Sequence, residues 1–178
     1  MVDRFPEPIC NPLSRQKKTW KRQEELTASS NIKPHEKKWL IACESLSKIF
    51  STCAKRQYAA IVVAENKRVI GFGYNGSPPG IAHCIDGACP RLHENSESGS
   101  VYDNCIAQHA EAGALLWSDP SLRRGATLIV NGSPCMGCAK LIASSGVKRV
   151  VYIHDSLYVQ LPKVIELLNQ VGIETVSE

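Results

Sequence analysis

The sequence predicts an α/β domain with helices on both faces of a central sheet. Two observations carry this. Short apolar runs with β-branched centres alternate with longer stretches of helical periodicity along most of the chain. The 178 residues are enough for one domain with a covered sheet.

The elements follow in order. Residues 1–33 read as a polar N-terminal arm, at most a loose helix, broken by Pro6, Pro8, Pro12 and Ser29-Ser30. Residues 34–178 form the folded domain. From Pro34, the residues Trp39, Leu40, Cys43, Leu46 and Phe50 recur at helical spacing and give one apolar face. Residues 58–64 are a strand, 65–67 a turn, and 69–74 the returning strand of a hairpin. Asn75-Gly76-Ser77-Pro78-Pro79-Gly80 is loop chemistry. Residues 81–105 show no period, and so long an irregular stretch needs something to hold it. A small-residue helix is expected over 107–117, stopped by Pro120. Strands at 127–130, 150–153 and 173–176 then alternate with helices at 135–144 and 162–171.

Composition limits the function classes. Hydrophobic residues make up 43% and charged residues 21%, with a formal net charge of +4, as in ordinary globular proteins. No apolar run is long enough to span a bilayer, and the N-terminus has no apolar signal core. The expected setting is the cytoplasm (a host cytoplasm if the gene is viral), with no membrane partner. Arg15, Lys17, Lys18, Lys21 and Arg22 cluster in the arm, but without the interleaved aromatics of a single-strand binder, so no nucleic-acid partner is expected. Eight cysteines without a secretory signal point to metal rather than to disulfides.

Chemistry concentrates in His109-Ala110-Glu111 and Pro134-Cys135-Met136-Gly137-Cys138. Both segments open helices, where unpaired amides and partial positive charge favour thiolates. Cys135 and Cys138 lie one helical turn apart, on one side of a metal. His109 supplies a third ligand, and the fourth tetrahedral position stays open for water, as in catalytic rather than structural zinc sites. Glu111, two residues past the histidine, reaches that position without ligating. A carboxylate in a nearly dry pocket has a raised pKa and suits proton shuttling.

With these residues in place, the chain resembles the deoxycytidylate deaminases of bacterial and phage type, within the zinc-dependent cytidine deaminase superfamily. His-x-Glu with Pro-Cys-x-x-Cys is the signature of the superfamily. Ser51-Thr52-Cys53, Gly73-Tyr74-Asn75-Gly76-Ser77-Pro78, His83-Cys84 and Cys89 point to the deoxycytidylate branch. The likeness runs from about residue 51 to 152. It implies a three-layer α/β/α cytidine-deaminase-like fold with a central five-stranded mixed sheet, and a homo-oligomer. It implies hydrolysis of dCMP to dUMP and ammonia for thymidylate supply. It also implies that Asn75 binds the sugar hydroxyl, the Ala110 amide the base carbonyl, and the Ser133 carbonyl the exocyclic amine. Tyr58-Ala59-Ala60 replaces a usual Val-Gly-Ala near the base, and Gly113 replaces a usual Asn. The first departure keeps a C5-modified dCMP open as substrate, and the second leaves inherited nucleotide regulation open. A nucleic-acid-editing cytosine or adenine deaminase is the competing enzyme, and a metal-stabilised interaction module the non-enzymatic alternative.

Two groups of residues remain. Cys84 and Cys89 lie inside the irregular stretch, Cys105 closes it and Cys53 precedes the first strand; four thiolates make a closed structural zinc site. The expected cofactors are therefore one catalytic Zn2+ and a second structural one. His83 or His93 could replace one ligand. Cys10 reads as a tail thiol and Cys43 as a core filler. For the substrate phosphate, Lys55 and Arg56 are the expected cations, with Gly76 and Ser77 as a small anion nest. Arg123 and Arg124 are the rival pair.

Overall fold

The computed structural model describes residues 32–93, 104–156 and 158–178. The expected N-terminal arm, and Cys10 within it, fall almost wholly outside the described residues.

The described elements run α1 (Pro34–Phe50), β1 (Ala59–Val63), β2 (Val69–Tyr74), a 3-10 turn (Cys84–Asp86), α2 (Pro90–His93), α3 (Ala110–Leu116), β3 (Thr127–Val130), α4 (Met136–Ala143), β4 (Arg149–Tyr152), α5 (Leu161–Gln170) and β5 (Glu174–Ser177). The strands form one five-stranded sheet in the order β2-β1-β3-β4-β5. β1 pairs antiparallel with β2 and with β3, whereas β3–β4 and β4–β5 are parallel. This mixed sheet agrees with the expected architecture.

The three inner strands β1, β3 and β4 are buried on both sides because helices cover both faces. On one face α1 packs Leu40 and Cys43 against Ala59, Ile61, Val63, Ile129 and Val151. Cys43 is a core filler, as its place in the pattern suggested, and its thiol donates to the Ile129 carbonyl at 3.6 Å. On the other face Ala60, Val62, Leu128, Val130 and Val150 meet α3, α4 and α5. The alternation 59/61/63 against 60/62 is the period of two that a strand imposes.

The start of α1 is fixed from a distance. Glu36, only 1% exposed, accepts from Arg149 Nε at 2.8 Å and Nη2 at 3.0 Å, and Arg149 also pairs with Glu174. Burial acts to raise the Glu36 pKa, but hydrogen bonds from Arg149 and the Lys33 amide outweigh it and hold the carboxylate below its ordinary value.

Helix α3 starts at Ala110, not at 107. Residue Gln108 is drawn into an extended bridge with Gly76, exchanging backbone bonds at 2.8 and 3.2 Å. Helical periodicity carries no sign of such a long-range pairing.

Candidate active site

Several chain segments meet where β3 and β4 end. Because β1 runs against β3, its beginning lies there too, with Ala60 opposite Val130. The end of β2 joins through the Ala59–Tyr74 pair. Clefts form in open α/β sheets outside such strand ends. Here the cleft is lined by Asn75, His109, Ala110, Glu111, Ser133 and Cys135, among others.

Two glycines set the depth of α3. A Cβ on Gly73 would come within 2.2 Å of the Ala110 oxygen and the Ala114 nitrogen, and one on Gly71 within 2.4 Å of the Ala114 oxygen. Without side chains there, the helix lies directly on the backbone of β2. His109 then serves as the extended N-cap of α3 (φ −75, ψ 150).

His109 Nδ1 lies 3.4 Å from the Sγ of Cys135 and 3.4 Å from that of Cys138. All three ligand atoms fall within 4.8 Å of one another. Cys135 is the N-cap of α4, and its sulfur accepts from the Cys138 amide. A hydrogen bond from the Cys138 thiol holds the Cys135 pKa down at about 4 against the opposing effect of burial, with His109 adding to the lowering. The same contact pushes Cys138 up, and the hydrogen bond to Cys135 raises His109 above its usual value. An anionic sulfur, a second sulfur and an imidazole in one triangle are the donor set of a three-ligand zinc site. Zinc fits the residues present.

Glu111 is 6% exposed. Desolvation lifts its carboxyl above the ordinary range, although the nearby His109 charge opposes the lift. The carboxyl therefore sits beside the metal triad, as its spacing from His109 required.

Asn75 is also nearly buried. Its Oδ1 accepts from the Tyr58 amide at 2.8 Å and the Ser51 hydroxyl at 2.6 Å, and its Nδ2 donates to the Arg56 carbonyl at 2.7 Å. One Nδ2 hydrogen is beyond those bonds. Asn75 thus holds the strand entry in place while lining the cleft. Ser133 accepts from the Asp155 amide at 2.8 Å. Lys55 and Arg56 line the cleft as well. Arg56 Nη1 donates to Asp155 at 2.5 Å and to the Tyr58 hydroxyl at 3.2 Å. Arg123 and Arg124 are not among the cleft-lining residues.

Among the remaining cysteines, Cys84 and Cys89 are buried together with Ala107, and Cys105 packs against them. Burial pushes the Cys84 thiol up to about 11, with the neighbouring Cys89 and Cys53 adding to the rise. Among the described residues, only the His109 triad brings three ligand atoms within 4.8 Å. His93 is hydrogen-bonded to the Gly87 carbonyl.

Sequence reasoning passed over three cleft residues with polar side chains: Arg91, Asp155 and Tyr158. The Tyr158 hydroxyl accepts from the Met136 amide at 3.1 Å, capping the start of α4. The parallel β3–β4 pair was a usable signal for Asp155 and Tyr158, because loops after parallel neighbours share one end of a sheet. Arg91 had no such signal.

Fold and donor set together define a zinc-dependent hydrolase of the deaminase class. The chain belongs to the cytidine and deoxycytidylate deaminase family, whose zinc-binding region matches residues 33–154. A deoxycytidylate deaminase of Mycobacterium phage D29 is 45% identical over 112 residues, covering 60% of this chain and 84% of the phage protein. The Schizosaccharomyces pombe deoxycytidylate deaminase is 35% identical over 129 residues, covering 72% of this chain and 40% of the yeast protein. Among solved structures, the dCMP deaminase of cyanophage S-TIM5 in complex with dCMP and dUMP aligns with a TM-score of 0.61 and 29% identity, covering 83% of this chain and 99% of that one. Among the described residues, no helix is long and apolar enough to cross a membrane.

Proposed function

We propose that the protein hydrolyses dCMP to dUMP and ammonia, supplying a thymidylate precursor. The observation that supports this most is the buried Glu111 carboxyl beside the His109–Cys135–Cys138 triad, in a cleft shared with Asn75. His109, Cys135 and Cys138 hold the catalytic zinc, which when bound supplies the Lewis acidity that makes water nucleophilic near neutral pH. Glu111 takes a proton from the attacking water and delivers it to N3 of the cytosine ring. A C–O bond forms at C4. Glu111 then takes the proton of the new C4 hydroxyl and passes it to the 4-amino group; the C4–N bond breaks, the C4–O bond becomes a carbonyl, and ammonia leaves. Its raised pKa suits a carboxyl that must both take and give a proton.

In this reading the Ala110 amide, which as the first residue of α3 has no intrahelical acceptor, donates to the base carbonyl. The Ser133 carbonyl accepts from the amine, and the second Nδ2 hydrogen of Asn75 meets the sugar. Lys55 and Arg56 contribute positive charge at the phosphate end. Tyr58 lies against Gly132, where an added Cβ would come within 2.3 Å of its ring. The reading further includes a second, structural zinc held by Cys53, Cys84, Cys89 and Cys105, a homo-oligomer, and a cytoplasmic setting. The test is ammonia release from a panel of deoxycytidine, dCMP, dCTP, C5-substituted dCMP and single-stranded DNA. Fastest turnover of dCMP is expected. A preference for DNA or for a C5-substituted nucleotide refutes the assignment.

A further inference from the structure

Two of the three zinc ligands sit on one short piece of chain, the turn from β3 into α4. Cys135 caps that helix, and Cys138 lies in its first turn. A helix start leaves its first amides without intrahelical acceptors, and here they are met in different ways. The Cys138 amide donates to the Cys135 sulfur at 3.4 Å, and the Ala139 amide donates to the Cys135 carbonyl at 2.8 Å. Gly137 is exposed, whereas Met136 is half-buried. A half-buried amide needs an acceptor within the protein. The Met136 amide finds one in the Tyr158 hydroxyl, at 3.1 Å.

Tyr158 comes from a different stretch, the connection between β4 and α5. Its backbone is held on both sides. Its amide donates to the Asp155 carbonyl at 3.1 Å, and its carbonyl accepts from the Leu161 amide at 3.1 Å. Its ring packs against the larger of the two core clusters flanking the sheet. Burial pushes the phenol up, so it stays a neutral hydroxyl. An acceptor seated this firmly fixes the amide that meets it.

A second tie joins the same two stretches. The Ser133 hydroxyl accepts from the Asp155 amide at 2.8 Å and donates to the Ile153 carbonyl at 3.4 Å. The Asp155 carboxylate in turn holds Arg56. The chain is therefore fastened on either side of the Cys135 sulfur, at Ser133 before it and at Met136 after it. Partners of this kind orient metal ligands without touching the metal. Losing one costs about ten- to a hundredfold in metal affinity or activity.

We infer that Tyr158 is a positioning residue for the catalytic zinc. Its hydroxyl holds the Met136 amide and, with the Ser133–Asp155 tie, sets where Cys135 and Cys138 stand relative to His109. The inference rests on the zinc reading of the triad and not on the identity of the base.

The test compares Tyr158→Phe, Ser133→Ala and Tyr152→Phe in the full chain. Tyr152 is the matched control, a 1% exposed tyrosine of the same core on β4 whose hydroxyl is bonded to Ser177. Zinc release to a chromophoric chelator is followed in each, and the release phase missing from Cys138→Ser is assigned to the triad. Tyr158→Phe should weaken zinc binding at the triad roughly ten- to a hundredfold. Its cobalt-loaded form should show shifted thiolate-to-cobalt charge-transfer bands. At full zinc loading it should lower kcat while KM for dCMP stays within a few-fold. Ser133→Ala should weaken zinc in the same direction, which keeps the inference testable if Tyr158→Phe folds poorly. Tyr152→Phe should lower Tm and leave zinc affinity and the cobalt bands as in the wild type. Wild-type zinc release and cobalt bands in Tyr158→Phe overturn the inference. So does an equal loss of zinc in Tyr152→Phe, which would mark general loosening of the core, or a change confined to KM, which would mark a substrate contact. A protein that releases no ammonia from any cytosine substrate, but loses zinc more readily in Tyr158→Phe, refutes the deaminase reading and keeps this one.

Discussion

Replacing Gly73 with alanine tests how the site is built more sharply than removing a catalytic group. The new methyl carbon would stand 2.2 Å from both the Ala110 oxygen and the Ala114 nitrogen. Real Cβ contacts essentially never fall under 3.0 Å, so α3 and β2 must separate by at least 0.8 Å. The obstructing atoms are backbone on both sides, and no side chain can swing away. Overpacking of this kind costs about 1–3 kcal/mol, and a backbone-to-backbone clash belongs at the upper end. For a protein of this size that corresponds to a fall in Tm of roughly 6–12 °C. The larger effect is on catalysis. The first turn of α3 carries the Ala110 amide and Glu111, with His109 as its cap, and a displacement near 1 Å costs about a hundredfold in rate.

The neighbouring Gly113 is the control. A Cβ there would meet the Gly73 Cα at 3.4 Å, an ordinary contact, and alanine favours a helix over glycine by about 0.8–1.0 kcal/mol. Gly113→Ala should therefore keep its activity and gain slightly in Tm. Thermal unfolding and steady-state deamination of both variants, at matched zinc content, decide the matter. If Gly73→Ala retains activity within a few-fold and Tm within 2 °C, the close approach of α3 to β2 does not position the site.

Three further outcomes are expected. Glu111→Gln should keep fold and zinc while losing roughly two to four orders of magnitude in kcat, and residual activity within a few-fold of wild type would show that another group carries the proton. Elemental analysis should find two zincs per chain, with Cys84→Ser or Cys89→Ser losing one of them and lowering Tm, while a single zinc in fully loaded protein refutes the four-cysteine site. Acid unfolding should report Glu36, whose folded pKa lies below its usual 4.5. The stability it contributes is present above about that pH and is lost as pH falls through the lowered folded value. Glu36→Gln should cost about 3–5 kcal/mol at neutral pH, as for one partner of a buried pair, and should flatten that part of the acid limb. An unchanged acid limb in denaturant titrations contradicts this.

What could be read from the sequence was whatever is written in residue type and short spacing. The strands announced themselves as β-branched runs. The triad and Glu111 were legible because metal chemistry demands those side chains at those intervals. Arg91 was not legible, since α2 has four residues and no period. The first turn of α3 was placed too early because the Gly76–Gln108 bridge is a tertiary pairing.

The deeper limit concerns distances between motifs. His109 and Cys135 are 26 residues apart, and nothing in either motif says they touch. Topology supplies the contact: α3 is laid on β2 by two glycines, and α4 starts where β3 ends, two strands away in the sheet. The position of His109 relative to Cys135 therefore depends on the packing across β2, β1 and β3. Substitutions that disturb this packing, such as Gly73→Ala, should impair chemistry before they unfold the chain. Equally disruptive changes where the end of α5 packs on β5, at the edge of the sheet opposite β2, should unfold the chain before they impair chemistry.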